Sequence, residues 1–269
     1  MKLTSACKGP QIDLLNGSIF SAMIIFSVPI LFSCLFQELY NTIDTIIIGY
    51  VLGENALAVA GAAAPVYELL IGFALGIGNG LSLMTSRSYG LNDMELLKRS
   101  VAVSITIGTG ISLVIAVLTR GFLMPFLSLL HTPAAIIRDT YEYISVITLF
   151  AGVMFAYNLC AGLLRAIGNS LIPLAFLFLS SVLNIGLDLF CIIKLNMGMK
   201  GAAVATVISQ TVSVILCLIY ISRYAQILIP QKKHFAYDRH LYAEMAGQGF
   251  SMGFMSSIVS AGTAILQAG

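Results

Sequence analysis

The chain has 269 residues, of which 58% are hydrophobic and only 10% are charged, and its formal net charge is +2. A soluble domain would carry about 25% charged residues, so the composition excludes a soluble globular protein and predicts an integral membrane protein. The small net charge gives no reason to expect a nucleic-acid partner.

The first apolar segment covers residues 19 to about 50, and we predict that residues 1–18 before it form a cytoplasmic N-terminal segment. The segment is long enough to cross a bilayer as a helix. Pro29 lies inside it and removes one helical hydrogen bond, which predicts a bend. Asp44 lies toward its far end. Since a carboxylate within a membrane costs about 2.5–3.5 kcal/mol even on the lenient insertion scale, such a residue indicates a functional role.

Six further apolar segments follow along the chain. None alternates strictly between apolar and polar residues, so the pattern predicts an all-α bundle and not a β-barrel. We predict a six-helix transmembrane bundle over 19–223, a cytoplasmic linker between bundles over 224–242, and a truncated seventh helix that starts a second bundle over 243–269. The six further segments are 56–84, 101–118 with an extension toward 124, 143–164, 166–193, 201–222 and 245–269.

The basic residues predict the orientation of the bundle in the membrane. An excess of Lys and Arg marks the loops that stay in the cytoplasm. With the N-terminus inside, ten basic residues are cytoplasmic and four are external, so we predict a cytoplasmic N-terminus in a multi-pass protein of the cell membrane. The ten are Lys2, Lys8, Arg87, Lys98, Arg99, Arg165, Arg223, Lys232, Lys233 and Arg239, and the four are Arg120, Arg138, Lys194 and Lys200.

Small residues form a row in the second segment, where Gly72, Gly76 and Gly80 recur at four-residue spacing. Such rows let two transmembrane helices approach closely. The chain has no GxxxxGK[ST] motif, so we interpret the glycines as packing positions and not as a phosphate-binding loop.

Three segments carry polar residues on one side. Asp44 belongs to a stripe on the first, Asn184 and Asp188 are four residues apart on the fifth, and Thr206 lies on the sixth. If the three sides face one another, two carboxylates, an amide and a hydroxyl converge. Oxygen ligands of this kind suit Na⁺ or a proton. A structural hydrogen bond is the alternative role for either acid.

Other polar residues in the spans are candidates for lining a substrate cavity. Glu68 could instead reach water at a membrane interface, as could Glu38, and we interpret Arg165 as a topology anchor. The cavity-lining candidates are Gln37, Tyr40, Asn41, Glu68, Tyr157, Asn158 and Gln210.

Five stretches, in order along essentially the whole chain, resemble the multidrug and toxic compound extrusion (MATE) family. Pro29 lies upstream of the first stretch, as in that family. The stretches are LYNTIDTIIIGYVLGENALAVAG, GIGNGLSLMTSRSYGLND, GLLRAIGNSLIP, LNIGLDLF and MGMKGAAVATVISQ.

The resemblance implies a twelve-helix antiporter made of two six-helix bundles related by an axis along the membrane normal. Such proteins export amphipathic, often cationic, drugs or toxic metabolites in exchange for Na⁺ or H⁺. The coupling site implied for this chain comprises Asp44, Asn184, Asp188 and Thr206, which would also be the ligands if the ion is Na⁺. The bend would fall at Pro29. The chain resembles the first bundle and part of the seventh helix, so the C-terminal bundle would be its missing partner.

Other functions differ in the chemistry that they require. A lipid-linked precursor flippase of the same superfamily should carry cationic residues in mid-span, whereas the mid-span charges here are acidic. An intramembrane enzyme is not expected, because the chain has neither HExxH nor GxGD. We therefore predict a transporter with no enzyme activity and no cofactor beyond its coupling ion. A non-transporting membrane subunit is the remaining alternative.

Overall fold

The computed structural model describes residues 19–130 and 132–268, so the predicted N-terminal segment 1–18 lies outside the described residues. The described chain is an all-α membrane bundle of nine α-helices without a strand. The helices are α1 (Ile19–Leu52), α2 (Glu54–Tyr67), α3 (Phe73–Gly90), α4 (Met94–Leu129), α5 (Ile137–Leu149), α6 (Ala151–Ala166), α7 (Leu171–Leu189), α8 (Met199–Tyr224) and α9 (Arg239–Ala268).

Several of these helices combine into longer membrane spans. A π-helical turn at Glu68–Gly72 joins α2 to α3, and another at Phe190–Lys194 extends α7. Five described spans are long and apolar enough to cross a membrane, and the pair α5 and α6 makes a sixth, bent by 49° at Phe150. The bundle therefore has the predicted six-span plan, with α9 packed beside it.

Three predicted boundaries are wrong. The third segment was predicted to extend no further than about residue 124, but α4 continues through Pro125 to Leu129. The fourth segment was predicted to start at residue 143, whereas α5 begins at Ile137. We also expected the fifth span to start at residue 166, whereas α7 begins at Leu171. Gly168 has a φ of +87°, which interrupts the helix, and the Asn169 side chain then accepts a hydrogen bond from the backbone of Ile172 at 3.2 Å.

The centre of the bundle is α6, which packs against α3, α4 and α8. Most of its side chains are buried in one apolar cluster. Phe155 on α6 fits into a notch that Gly108 leaves on α4, because a Cβ at Gly108 would overlap the Phe155 ring. By contrast α1 is largely exposed and contacts mainly α7 and α2.

The glycine row predicted to be a packing surface contacts α9. A Cβ at Gly76 would lie 2.7 Å from the Met252 carbonyl oxygen, and one at Gly80 would lie 2.6 Å from that of Gln248. Such distances leave room only for hydrogen, so α3 and α9 touch backbone to backbone. At one end of this contact Arg87 pairs with Glu244 at 3.2 Å.

Charged contacts hold the segment between α8 and α9 against the start of α4. Glu95 Oε2 lies 3.2 Å from Lys233 Nζ and 3.3 Å from His234 Nε2. His234 is buried, and its Nδ1 accepts the backbone N–H of Gln231 at 2.7 Å, so Nε2 carries the proton toward Glu95.

The first turn of α9, which begins inside the predicted linker, is fastened in the same way. Asp238 accepts backbone hydrogen bonds from Leu241 and His240 and pairs with Arg99 at 3.1 Å. These contacts lower the pKa of the Asp238 carboxyl. Because they stabilise the ionised form, the stabilisation they give is present at neutral pH and is lost as the pH falls through that lowered pKa.

We expect Glu95→Ala to loosen this connecting segment, because His234 and Lys233 then lose their shared acceptor. Limited trypsin digestion of the complete protein should cleave after Lys232 and Lys233 faster in the variant. The control is Glu142→Ala, which removes an exposed pair with Arg138 on α5. Equal cleavage rates in Glu95→Ala and wild type would show that the contacts at Glu95 do not hold the segment.

Candidate functional site

One side of α1 forms a wall of a cavity of about 250 Å³ between α1, α2, α5 and α8. The predicted stripe lies on that wall, so its four residues face one space, and Gln37 and Asn41 are within 3.5 Å of each other. Across the cavity Thr206 and Gln210 of α8 and Glu68 at the π-helical turn contribute further oxygen atoms. The stripe consists of Gln37, Tyr40, Asn41 and Asp44.

Behind the cavity wall, Asn184 and Asp188 are fully buried, with 0% of their surfaces exposed. Their four-residue spacing on α7 puts them on one side of the helix. The Asn184 amide nitrogen donates to Asp188 Oδ2 at 2.7 Å, and its oxygen accepts the backbone N–H of Thr206 at 3.2 Å. The amide therefore links α7 to α8 and orients the Asp188 carboxyl.

The carboxyl groups of Asp44 and Asp188 adjoin each other, and each interacts with the other through its side chain. Oδ1 of each group is buried without a hydrogen-bond partner among the described residues. Two neighbouring carboxylates repel each other when both are ionised, and a shared proton or a cation between them would offset that repulsion.

The surrounding hydroxyl groups complete an oxygen-rich environment. The Tyr40 hydroxyl lies 3.4 Å from that of Thr206, and the Asn184 amide lies 3.4 Å from the same Thr206 oxygen. No group of three His, Cys, Asp or Glu residues suited to a metal occurs in the described ranges. Carboxyl, amide and hydroxyl oxygens are ligands for a hard monovalent ion.

Tyr67 and Tyr143 also line this cavity, although neither was among the residues predicted to line it. Both rings are close enough to Asp44 to interact with its charge. Their residue type could have identified them as candidates, because a tyrosine within an apolar span usually has a polar partner for its hydroxyl group. They come from α2 and α5, and Met154 of α6 lines the cavity too, so six of the described helices contribute to the site when α7 is counted.

A second cavity, of about 230 Å³, lies between α1, α6 and α7. Tyr157 and Asn158, both predicted candidates, line it. So do Glu38 and the half-buried Arg165, which are oppositely charged. Arg165, interpreted above as a topology anchor, thus also borders a cavity, and Gln37 lines both cavities.

Pro29 is buried inside α1, which continues unbroken through it. The Ser33 hydroxyl donates to the Pro29 carbonyl at 2.8 Å. Pro29 precedes Asp44 by 15 residues, or about 22 Å along a helix. A bend at Pro29 would therefore act on Asp44 through the intervening part of α1, and the bend stays a prediction.

Comparisons with known proteins connect this bundle to one group of transporters. The family model described as MatE matches residues 29–190. The probable multidrug resistance protein YoeA of Bacillus subtilis (strain 168) is 30% identical over 210 residues, which cover 77% of this chain and 45% of the relative. The multidrug export protein MepA of Staphylococcus haemolyticus (strain JCSC1435) is 27% identical over 219 residues, covering 81% and 48%.

A solved structure shares the arrangement of the helices. It is a MOP superfamily transporter from Pyrococcus furiosus Vc1 (DSM3638), whose description reports a binding pocket of reverse polarity that suggests a different function. Its TM-score is 0.84 at 25% identity, and the match covers 93% of this chain and 55% of the other. The chain spans about half the length of the curated relatives it matches.

Proposed function

Because this chain belongs to the MatE family of multidrug efflux transporters, we propose that it forms the N-terminal bundle of a secondary transporter that exports amphipathic or cationic compounds in exchange for Na⁺ or H⁺. The bundle works in the cell membrane with its N-terminus in the cytoplasm, together with a C-terminal bundle. It is a transporter and not an enzyme.

The observation that carries this proposal is the pair formed by Asp44 and Asp188. Each acid has a buried oxygen without a partner, and the pair lies beside a cavity lined by further oxygen atoms. Na⁺ or a proton bound between the carboxyl groups offsets their repulsion. Release of the ion restores the repulsion across the contact of α1 with α7.

The helix that moves when the ion binds or leaves is α1, because it carries Asp44 and is largely exposed. Asp188 is held by Asn184 and lies within the bundle, so the charge change acts mainly on the α1 side of the pair. Movement of α1 changes both cavities, since α1 lines each of them. Ion binding and the space for an exported compound are thereby coupled.

Charge in the first cavity supports cationic compounds as substrates. Glu68 lines that cavity without a basic residue, whereas in the second cavity Glu38 is accompanied by Arg165. The aromatic rings of Tyr40, Tyr67 and Tyr143 add surfaces on which a flat apolar cation can stack. An amphipathic compound meets both kinds of contact here.

The proposal is tested with the complete protein in proteoliposomes loaded with a fluorescent cation such as ethidium. We expect an imposed Na⁺ or H⁺ gradient to drive transport of the dye against its own gradient, and the gradient that does so identifies the coupling ion. Failure of both gradients would overturn the proposal. Movement of a fluorescent lipid in the same vesicles would then favour a flippase, and no movement of either compound a non-transporting subunit.

A further inference from the structure

An apolar crevice of about 700 Å³ lies between α4, α6 and α8, and it is larger than either cavity beside α1. Leu228 to Pro230, from the segment between α8 and α9, form one end of it. Its walls are almost entirely hydrocarbon and include Leu113, Ala116, Ala156, Leu159 and Leu218.

The crevice lies on the opposite side of α6 from the candidate site. Tyr157, Asn158 and Arg165 of α6 line the cavity next to α1, whereas Phe155 and Ala156 line the crevice. Meanwhile α9 packs mainly against α3. The crevice is therefore separate from the proposed transport pathway.

The few hydroxyl groups in the crevice are already bonded to their own helix. Thr109 donates to the Ile105 carbonyl and Ser112 to the Gly108 carbonyl, each at 2.8 Å. A polar solute would find no free partner there, and water does not fill apolar cavities stably. The volume lies within the range of about 300–1,000 Å³ typical of ligand pockets, so within a membrane the fitting occupant is a hydrocarbon chain.

Two lysines lie close in sequence to residues that line this crevice. Lys98 precedes Val101, a crevice residue, by one turn on the same side of α4, and Lys232 follows Pro230 by two residues. Within the described ranges neither lysine has an ion pair, whereas the neighbouring Arg99 and Lys233 are paired with acids. Unpaired basic residues at a membrane surface attract anionic lipid headgroups.

We propose that this crevice binds an anionic phospholipid, with one acyl chain between α4, α6 and α8 and the phosphate near Lys98 and Lys232. The lipid fills a space that the helices leave open and connects α4 to α8. Its exchange with the bilayer needs no movement of α1.

The test uses the complete protein in phosphatidylcholine vesicles containing phosphatidylglycerol with a photoreactive diazirine in its acyl chain. We expect mass spectrometry to find the label concentrated on the crevice residues of α4 and α6. Ala156→Phe fills the crevice and should remove that label. The matched control, Val182→Phe, adds the same ring at an exposed position of α7 and should leave it.

The headgroup preference is tested separately. Lys98→Gln and Lys232→Gln should each lower the crevice labelling by about fivefold. Lys194→Gln, in the π-helical turn after α7, and Lys200→Gln, in the first turn of α8, should not. Competition with unlabelled lipid on the wild-type protein needs no substitution, and phosphatidylglycerol should compete better than phosphatidylcholine.

Label spread evenly over all exposed helices, unchanged by Ala156→Phe, would overturn the crevice as a binding site. Equal competition by both lipids would overturn its preference for an anionic headgroup. Cross-links between two protomers at α4, without crevice label, would show that a second copy covers this surface. Because the readout is labelling and not transport, none of these results depends on the proposed function.

Discussion

Asp44→Asn is expected to lower ion-driven efflux by the complete transporter at least about tenfold, the change that follows when binding of the coupling ion weakens by roughly 1.4 kcal/mol. The amide cannot carry the negative charge that attracts the ion, although it keeps nearly the same shape. Asp188→Asn should act similarly, because the two carboxyl groups adjoin. The measurement is gradient-driven dye transport in proteoliposomes.

The matched control is Glu38→Gln, which makes the same acid-to-amide change on the same helix. Glu38 lines the other cavity, so coupling should survive there even if affinity for the dye changes. The variant with both aspartates replaced should be no worse than either single variant, because residues that share one site are not additive. Unchanged transport in Asp44→Asn would refute the coupling role.

Gly80→Val is expected to destabilise the complete protein by about 1–3 kcal/mol, the usual cost of forcing extra methyl groups into a packed contact. A Cβ at Gly80 would meet the backbone of Gln248 and Gly249 at 2.6–2.9 Å. Backbone atoms cannot rotate away as the end of a flexible side chain can, so α9 must separate from α3. The measurement is the thermal unfolding midpoint in detergent.

Gly110→Val on α4 is the control for this prediction, because it makes the same substitution in a helix where nothing lies within 4 Å of the added Cβ. It should not destabilise the protein, because valine has a slightly higher helix propensity than glycine. If both variants unfold at the same temperature, the close contact between α3 and α9 contributes nothing measurable. A lower unfolding midpoint for Gly80→Val alone would support a stabilising role for the contact between α3 and α9.

The spans themselves could be predicted from the sequence, because long apolar segments have few alternatives within a membrane. The ends of the helices were harder to predict than the spans, above all where a helix-breaking residue lies within or beside an apolar segment. Pro125 lies just beyond the predicted end of the third segment, yet α4 continues through it, because its exposed end tolerates a missing hydrogen bond. The break at Phe150 has no proline, and the predicted segment 143–164 runs through it without interruption, so the apolar pattern gave no sign of the break.

For the candidate site, helical spacing identified which residues share a side of one helix, as for Asn184 and Asp188. It could not determine which helices become neighbours, so the closeness of Asp44 to Asp188 depended on tertiary packing. Tyr67 and Tyr143 were missed for the same reason. Each lies on a helix whose sequence carries no acidic stripe of its own, and they meet Asp44 only in the folded bundle.

The π-helical turn between α2 and α3 has a geometric consequence for the whole span. One additional residue in a helical turn rotates everything after it by about 100° around the helix axis. Tyr67, before the turn, lines the cavity beside Asp44, while Gly76 and Gly80, after it, contact α9. Removing one residue from Glu68–Gly72 would therefore swing bulkier side chains into the α9 contact while leaving the cavity wall in place.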